Sequence, residues 1–192
     1  MLLVTTCFSF VFITHAQSSE VKLLDRINPA RPTSDLWKGV TNSVYPVTLA
    51  TPLSLLTAGY LQKDPQLQKE GWKAAGSVLI NVVAVQGLKR IILRSRPYNV
   101  NPGTIHYYHF EKDSSFPSGH TSNAFAIATT LSLAYKKWYL AVPAYFWAAG
   151  TGYSRLYLGQ HYPSDVMVGA AIGVGSAFAS RWLTKKIFER KK

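Results

Sequence analysis

Apolar blocks at residues 44–61, 74–93, 121–135, 138–153 and 166–183 dominate the chain, and none shows a sustained apolar/polar alternation. A half-buried strand needs that alternation, so the pattern predicts an all-α protein. The block at 166–183 is the best candidate for a membrane span, because 18 residues rise about 27 Å as a helix, close to the hydrocarbon thickness. Within it, Gly169-Ala170-Ala171-Ile172-Gly173 is a small-xxx-small pattern that lets two helices approach closely. Pro46, Pro52, Asn81 and Gln86 interrupt the earlier blocks, and a soluble helical bundle remains the alternative to a membrane one.

Charge placement favours the membrane. The formal net charge is +12, yet only 16% of the residues are charged and 47% are hydrophobic. Such an excess calls for an anionic partner, while the low charged fraction argues against nucleic acid. If Lys136, Lys137 and the C-terminus lie on the cytoplasmic side, then Lys63, Lys69 and Lys73 fall there too, as the positive-inside rule asks. Lys89, Arg90, Arg94 and Arg96 then sit on the outer side, against the rule, and need another task.

Residues 1–16 read as a signal peptide or short N-terminal anchor, although the first 21 residues contain no Lys or Arg. A polar segment at 17–43 follows, then a helical bundle over 44–186 and a basic tail at 187–192. The single cysteine, Cys7, excludes a disulfide framework. Residues 95–118 are rich in Pro, Gly and Ser and read as a loop.

Three clusters fall on the expected outer side. Lys89 and Arg96 are two helical turns apart and can face one way. Arg presents a planar fork matched to phosphate oxygens and Lys a mobile point charge, although a solvated basic helix end would look the same. Pro117-Ser118-Gly119-His120 precedes an apolar block. The backbone N–H groups of such a helix start cradle an anion, Ser118 adds a hydroxyl, and His120 supplies a proton. An ordinary helix cap, with Ser118 or Thr121 capping, is the alternative. Finally, His161 and Asp165 are four residues apart, after Ser154 and Arg155. A carboxylate at that spacing orients an imidazole for attack or proton transfer, and Arg155 adds a third cation. A structural His–Asp pair is the alternative here. Together the clusters describe a site for a tetrahedral or trigonal-bipyramidal oxyanion. The sequence has no carboxylate cluster suited to Mg²⁺ and no multi-histidine set, so no metal or other cofactor is expected, and charge stabilisation falls to the protein.

At these residues the chain resembles the type 2 phosphatidic acid phosphatase superfamily, which includes membrane lipid phosphatases, class A acid phosphatases and vanadium haloperoxidases. The three-part signature is complete and in order: Lys89 to Arg96-Pro97, Pro117-Ser118-Gly119-His120, and Ser154-Arg155 to His161 to Asp165. The resemblance implies a bundle of about six helices with five or six spans. It further implies hydrolysis of a phosphomonoester or pyrophosphate, with a phosphorylated membrane lipid as substrate. In it His161 is the nucleophile that forms a phosphohistidine, Asp165 orients it, and His120 is the acid and then the base. Lys89, Arg96, Arg155, Ser118 and the Gly119 N–H hold the phosphoryl oxygens. The expected place is a bacterial-type cytoplasmic membrane with the site on its outer, periplasmic face. A soluble periplasmic acid phosphatase, a vanadate-dependent haloperoxidase and a non-catalytic phosphate- or lipid-binding module are the alternatives. His106, Tyr107, Tyr108, His109 and Phe110 are candidates for lining a headgroup entrance.

Overall fold

The proline-interrupted block at 44–61 folds as the inner part of one helix that begins well before it, at Asp35. Prolines inside helices are tolerated in membrane bundles because neighbouring groups satisfy the freed backbone. Along this helix Ser43 and Thr51 return their hydroxyls to the carbonyls of Val40 and Val47. The computed structural model describes residues 19–189, with side chains up to Ile187. The signal peptide or anchor expected over 1–16 lies outside the described residues, as do residues 190–192 of the basic tail.

Every regular element among the described residues is helical. Residues 19–27 form a short helix, α1. It is followed by α2 (Asp35–Leu61), α3 (Pro65–Ile92), the one-turn α4 (Pro97–Val100), α5 (Gly119–Tyr135), α6 (Trp138–Tyr157) and α7 (Pro163–Glu189). The segment at 17–43 is therefore largely helical, and α7 runs without a break through residue 187. Segments Asp35–Leu61, Pro65–Val100 and Pro163–Ile187 are long and apolar enough to cross a membrane, and the fold is that of a membrane-embedded helical bundle.

Two of the polar residues within the long helices, Asn81 and Glu70, have structural uses. Asn81 on α3 donates to Ser122 Oγ (3.1 Å) and Asn123 Oδ1 (2.7 Å) on α5, an interhelical contact suited to an apolar setting. Glu70, almost closed to solvent, meets Lys73 at 2.6 Å and Arg181 of α7 at 3.3 Å. Ser180 donates to the Lys73 carbonyl beside them. These contacts pair the start of α3 with the end of α7.

The central helix is α5. Residues Thr121 to Ala124 and Ala126 to Thr130 are all buried, so a run rich in Ala, Ser and Thr is shielded by its neighbours. Its seam with α7 is a close one. A Cβ on Gly173 would lie 2.2 Å from the Ser122 carbonyl oxygen, and one on Gly169 would lie 2.6 Å from the Ser118 carbonyl oxygen. The small-xxx-small pattern thus marks a real close approach. Because the helices alternate in direction, the end of α3, the start of α5, the end of α6 and the start of α7 all meet at one end of the bundle.

Gly173→Ala is expected to destabilise the protein by about 1–3 kcal/mol through overpacking of this seam. Gly175→Ala, with nothing within 4 Å of the new methyl, serves as the control. Thermal unfolding in detergent checks the pair, and equal melting temperatures would contradict the seam.

Candidate functional site

His161 lies in the turn between α6 and α7, only 1% exposed. Its Nδ1 is 2.7 Å from the Ser115 backbone carbonyl and 3.5 Å from Asp165 Oδ2. A carbonyl only accepts, so Nδ1 carries the proton and the lone pair is left on Nε2. The imidazole that the His–Asp spacing was expected to orient is thus held mainly by the loop, with Asp165 next to it. Burial acts most strongly on this imidazole, and the Arg155 and Arg96 charges add to it. Together they outweigh the Asp165 carboxylate and push the pKa down to about 4.

Asp165 is fully buried and its carboxylate is saturated. Oδ1 accepts from Arg94 at 2.6 Å, while Oδ2 accepts from the Ser115 hydroxyl and, at 2.9 Å, from the Tyr162 N–H. Arg94 also donates to Ser164 Oγ (2.7 Å) and to Glu20 of α1 (2.7 Å), and its guanidinium lies 3.9 Å from the centre of the Tyr162 ring. Glu20 closes the ring by accepting the Ser164 N–H at 2.9 Å. The helix α1 reaches this place because Leu24 packs with Tyr98, Ile105 and Tyr162, and because Asn28 bonds both N–H and carbonyl of His106.

The three expected cations converge beside His161. Lys89 is 7% exposed, Arg96 1% and Arg155 3%. Each is paired with a carboxylate from the loop before α5. Asp113 takes Lys89 at 2.9 Å and Arg96 at 2.5 Å, and Glu111 takes Arg96 at 2.5 Å and Arg155 at 2.6 Å. Burial would raise both carboxyls. The hydrogen bonds and charges of Lys89 and Arg96 instead bring Asp113 down to about 2, and Arg155 and Arg96 hold Glu111 below its usual range. Arg155 also donates to Thr41 of α2 at 3.0 Å, and Arg96 to the Gln160 carbonyl at 2.9 Å.

Ser118 is the N-cap of α5, and its hydroxyl meets Thr121 Oγ1 at 2.9 Å. Its N–H donates to the Asp165 carbonyl at 3.0 Å, which ties the start of α5 to the start of α7. Gly119 and His120 occupy the first turn, where N–H groups have no carbonyl one turn earlier to pair with. His120 packs edge-on against Tyr45, with ring centres 4.7 Å apart. A cavity of about 200 Å³ is lined by Lys89, Glu111, Asp113, Gly119, His120 and His161. Tyr45, Val85 and the Asn81–Asn123 pair also line it.

All eight expected site residues therefore lie at one end of the bundle, and four of them, Lys89, Gly119, His120 and His161, line this cavity. Ser118 is engaged in capping, so the capping alternative describes its hydroxyl. His106 and Tyr107 line a different cavity, of about 350 Å³, with Arg31, Thr33 and Tyr98. Reasoning from sequence missed Glu20, Arg94, Ser115, Glu111 and Asp113. Only Arg94 carried a signal, as a cation on the side where the positive-inside rule does not want one.

An oxyanion held among these groups would meet two guanidinium groups, an ammonium and a helix start, next to an imidazole with a free lone pair. Such an arrangement suits transfer of a phosphoryl group. Residues 70–189 match the family described as the PAP2 superfamily. Lipid A 1-phosphatase of Porphyromonas gingivalis is 38% identical over 96 residues, which are 46% of this chain and 21% of that protein, so the chain spans about a fifth of the length of this relative. The crystal structure of LpxE from Aquifex aeolicus superposes with a TM-score of 0.65 at 29% identity, covering 83% of this chain and 92% of that one. A transmembrane PAP2 type phosphatidylglycerolphosphate phosphatase from Bacillus subtilis shares the fold at a TM-score of 0.68 and 22% identity, covering 95% and 96%. With the signature segments brought together on a matching fold, the chain belongs to the PAP2 superfamily.

Proposed function

We propose that the protein hydrolyses a phosphate monoester or diphosphate on a membrane lipid through a phosphohistidine on His161. The observation that carries this reading is the buried imidazole with its proton held by the Ser115 carbonyl, set among Lys89, Arg96 and Arg155. The relative named a lipid A 1-phosphatase supports a lipid phosphate as substrate.

In the first step His161 Nε2 attacks phosphorus as the bond to the lipid oxygen breaks, and His120 gives that oxygen a proton. In the second, His120 takes a proton from water as its oxygen attacks phosphorus, the P–N bond breaks, and inorganic phosphate leaves. Lys89, Arg96, Arg155 and the Gly119 N–H hold the phosphoryl oxygens, where charge-assisted donors act strongly in a site closed to water. Asp165 keeps His161 in orientation, and Arg94 and Ser115 keep Asp165. For Lys89 and Arg96 this is the task sought on the outer side, and for Arg94 it is the hold on Asp165. Lys63, Lys69, Lys73, Lys136, Lys137, Arg181, Lys185 and Lys186 belong to the opposite end of the bundle. The positive-inside rule then puts that end in the cytoplasm and the site on the outer face.

The test is release of phosphate by the detergent-purified protein from lipid A, phosphatidic acid, phosphatidylglycerol phosphate and undecaprenyl diphosphate, with p-nitrophenyl phosphate as the soluble control. Turnover of at least one lipid is expected, and His161→Ala should lower it by on the order of 10³-fold or more with the melting temperature kept. No release from any of them would refute the reading.

The imidazole pKa of about 4 sets the acid limb of the pH profile. The attacking form is the neutral one, which survives down to that pH, so the acid limb of kcat/KM, corrected for the substrate's second ionisation at about 6, should lie near pH 4. A limb near 6.5, the ordinary histidine value, would contradict the burial argument.

Arg94→Met removes a partner of the buried Asp165 carboxylate. It is expected to lower kcat by about 10- to 100-fold, the size of effect that follows loss of an outer partner of a metal-bound histidine, with KM little changed. Arg94→Lys should recover part of the loss. An equal rise in KM without a fall in kcat would place Arg94 in substrate binding instead.

A further inference from the structure

Three buried cations gathered at one point need counter-charge to be stable away from water. The structure supplies it from a single loop. Glu111 and Asp113 are separated by one exposed residue, Lys112, so both side chains leave an extended stretch of chain toward the same side. Between them they satisfy every cation expected to grip phosphate: Glu111 spans Arg96 and Arg155, and Asp113 spans Lys89 and Arg96. Two carboxylates carry the same charge as one phosphomonoester dianion, and they present oxygens to the same donors.

Two further features separate this from a buried structural ion pair. The carboxylates keep access to water, since the side chain of Glu111 is 23% exposed and that of Asp113 is 52% exposed, and both line the cavity shared with His120 and His161. The backbone that carries them is also held independently of their carboxyl groups. The Tyr98 hydroxyl bonds both the N–H and the carbonyl of Glu111, at 3.0 and 3.1 Å. Arg96 Nε donates to the Asp113 carbonyl at 3.1 Å, Lys89 donates to the Ser114 carbonyl, and the Ser115 N–H reaches the Arg94 carbonyl at 2.8 Å. The side chains can therefore swing into water while the loop stays in place.

We propose that Glu111 and Asp113 are built-in competitors for the phosphate seat, which set the affinity of the site for phosphoryl groups and, on returning to the cations, expel inorganic phosphate after each turnover. Exchange keeps the charge of the cage constant, because two carboxylate charges leave as a dianion arrives. It also selects for an anion charged enough to displace both, a doubly ionised terminal phosphate rather than a singly charged diester. The proposal rests on the phosphatase reading for its expulsion step, while the competition itself concerns anion binding and is testable without turnover.

The experiment uses the full chain in detergent and compares wild type with Glu111→Gln, Asp113→Asn and the double variant. One arm measures stabilisation by inorganic phosphate in thermal unfolding, and the other measures KM for a turned-over lipid phosphate and Ki for inorganic phosphate. Removing each competitor should tighten phosphate binding by on the order of tenfold, more for Glu111 than for the more exposed Asp113. KM and Ki should fall together, and kcat should fall or stay level as release slows. Phosphate binding that is unchanged or weaker in the variants would overturn the proposal. So would a fall in KM with Ki unchanged, since that would put the effect on the rest of the lipid. If Glu111→Gln is unstable without an anion, rescue of its folding by inorganic phosphate supports the competition and failure of rescue refutes it. Tighter phosphate binding in a protein that turns over no lipid would remove the hydrolase reading and leave the competition standing.

Discussion

Lys89, Arg96 and Arg155 bring three positive charges into a place nearly closed to water, and the architecture around them follows from that constraint. An unpaired charge is held in such a place only at a large desolvation cost, whereas a hydrogen-bonded and neutralised one is tolerated. The cations arrive from the end of α3, the segment after it and the end of α6, so three parts of the chain must finish at the same level. The loop from 101 to 118 then has to turn back over them, which is where Glu111 and Asp113 come from. The guanidinium of Arg96 illustrates the outcome: at 1% exposure it donates to two carboxylates and two backbone carbonyls.

What holds this end in register is the seam between α5 and α7. Gly169 lies against the carbonyl of Ser118, the residue that caps α5. The Ser118 N–H in turn bonds the carbonyl of Asp165 in the first turn of α7. The start of α5, proposed to cradle phosphate, and the carboxylate beside the His161 imidazole are thus joined through backbone, not through mobile side chains. Small residues in the seam serve the site as much as the fold. The hydroxyl-rich run of α5 serves both as well, since only a helix enclosed by its neighbours can be that polar inside a membrane.

The helical class and the close seam were legible in the sequence because each depends on spacing along a helix. Lys89 with Arg96, and His161 with Asp165, are brought together by turns and not by a helix period, since α3 ends at Ile92 before Arg96 and α7 begins at Pro163 after His161. They still declare themselves as motifs. Glu20 and Arg94 do not, being 74 residues apart and joined only when α1 packs through Leu24. Glu111 and Asp113 sit in a loop, where no periodicity tells which way a side chain points. Ser115 acts partly through its backbone carbonyl, which every residue possesses, so its type gave no hint. Pro46 and Pro52 were legible but misleading, since a helix enclosed in a bundle continues where an isolated one would break.

The placement of counter-charge bears on catalysis as well as on stability. A phosphoryl group in transfer spreads its charge over three equatorial oxygens, and donors stabilise it best when they need not reorganise as it forms. Donors around an unneutralised cage would repel one another and splay. Here Glu111 and Asp113 hold Lys89, Arg96 and Arg155 in bonding range of a shared anion position, at 2.5–2.9 Å. Arg94 is kept apart from that group by its own two carboxylates, Glu20 and Asp165. One set of ion pairs can therefore open to admit phosphate while the other stays closed and keeps His161 aligned, which is why a single site can be both exchangeable and rigid.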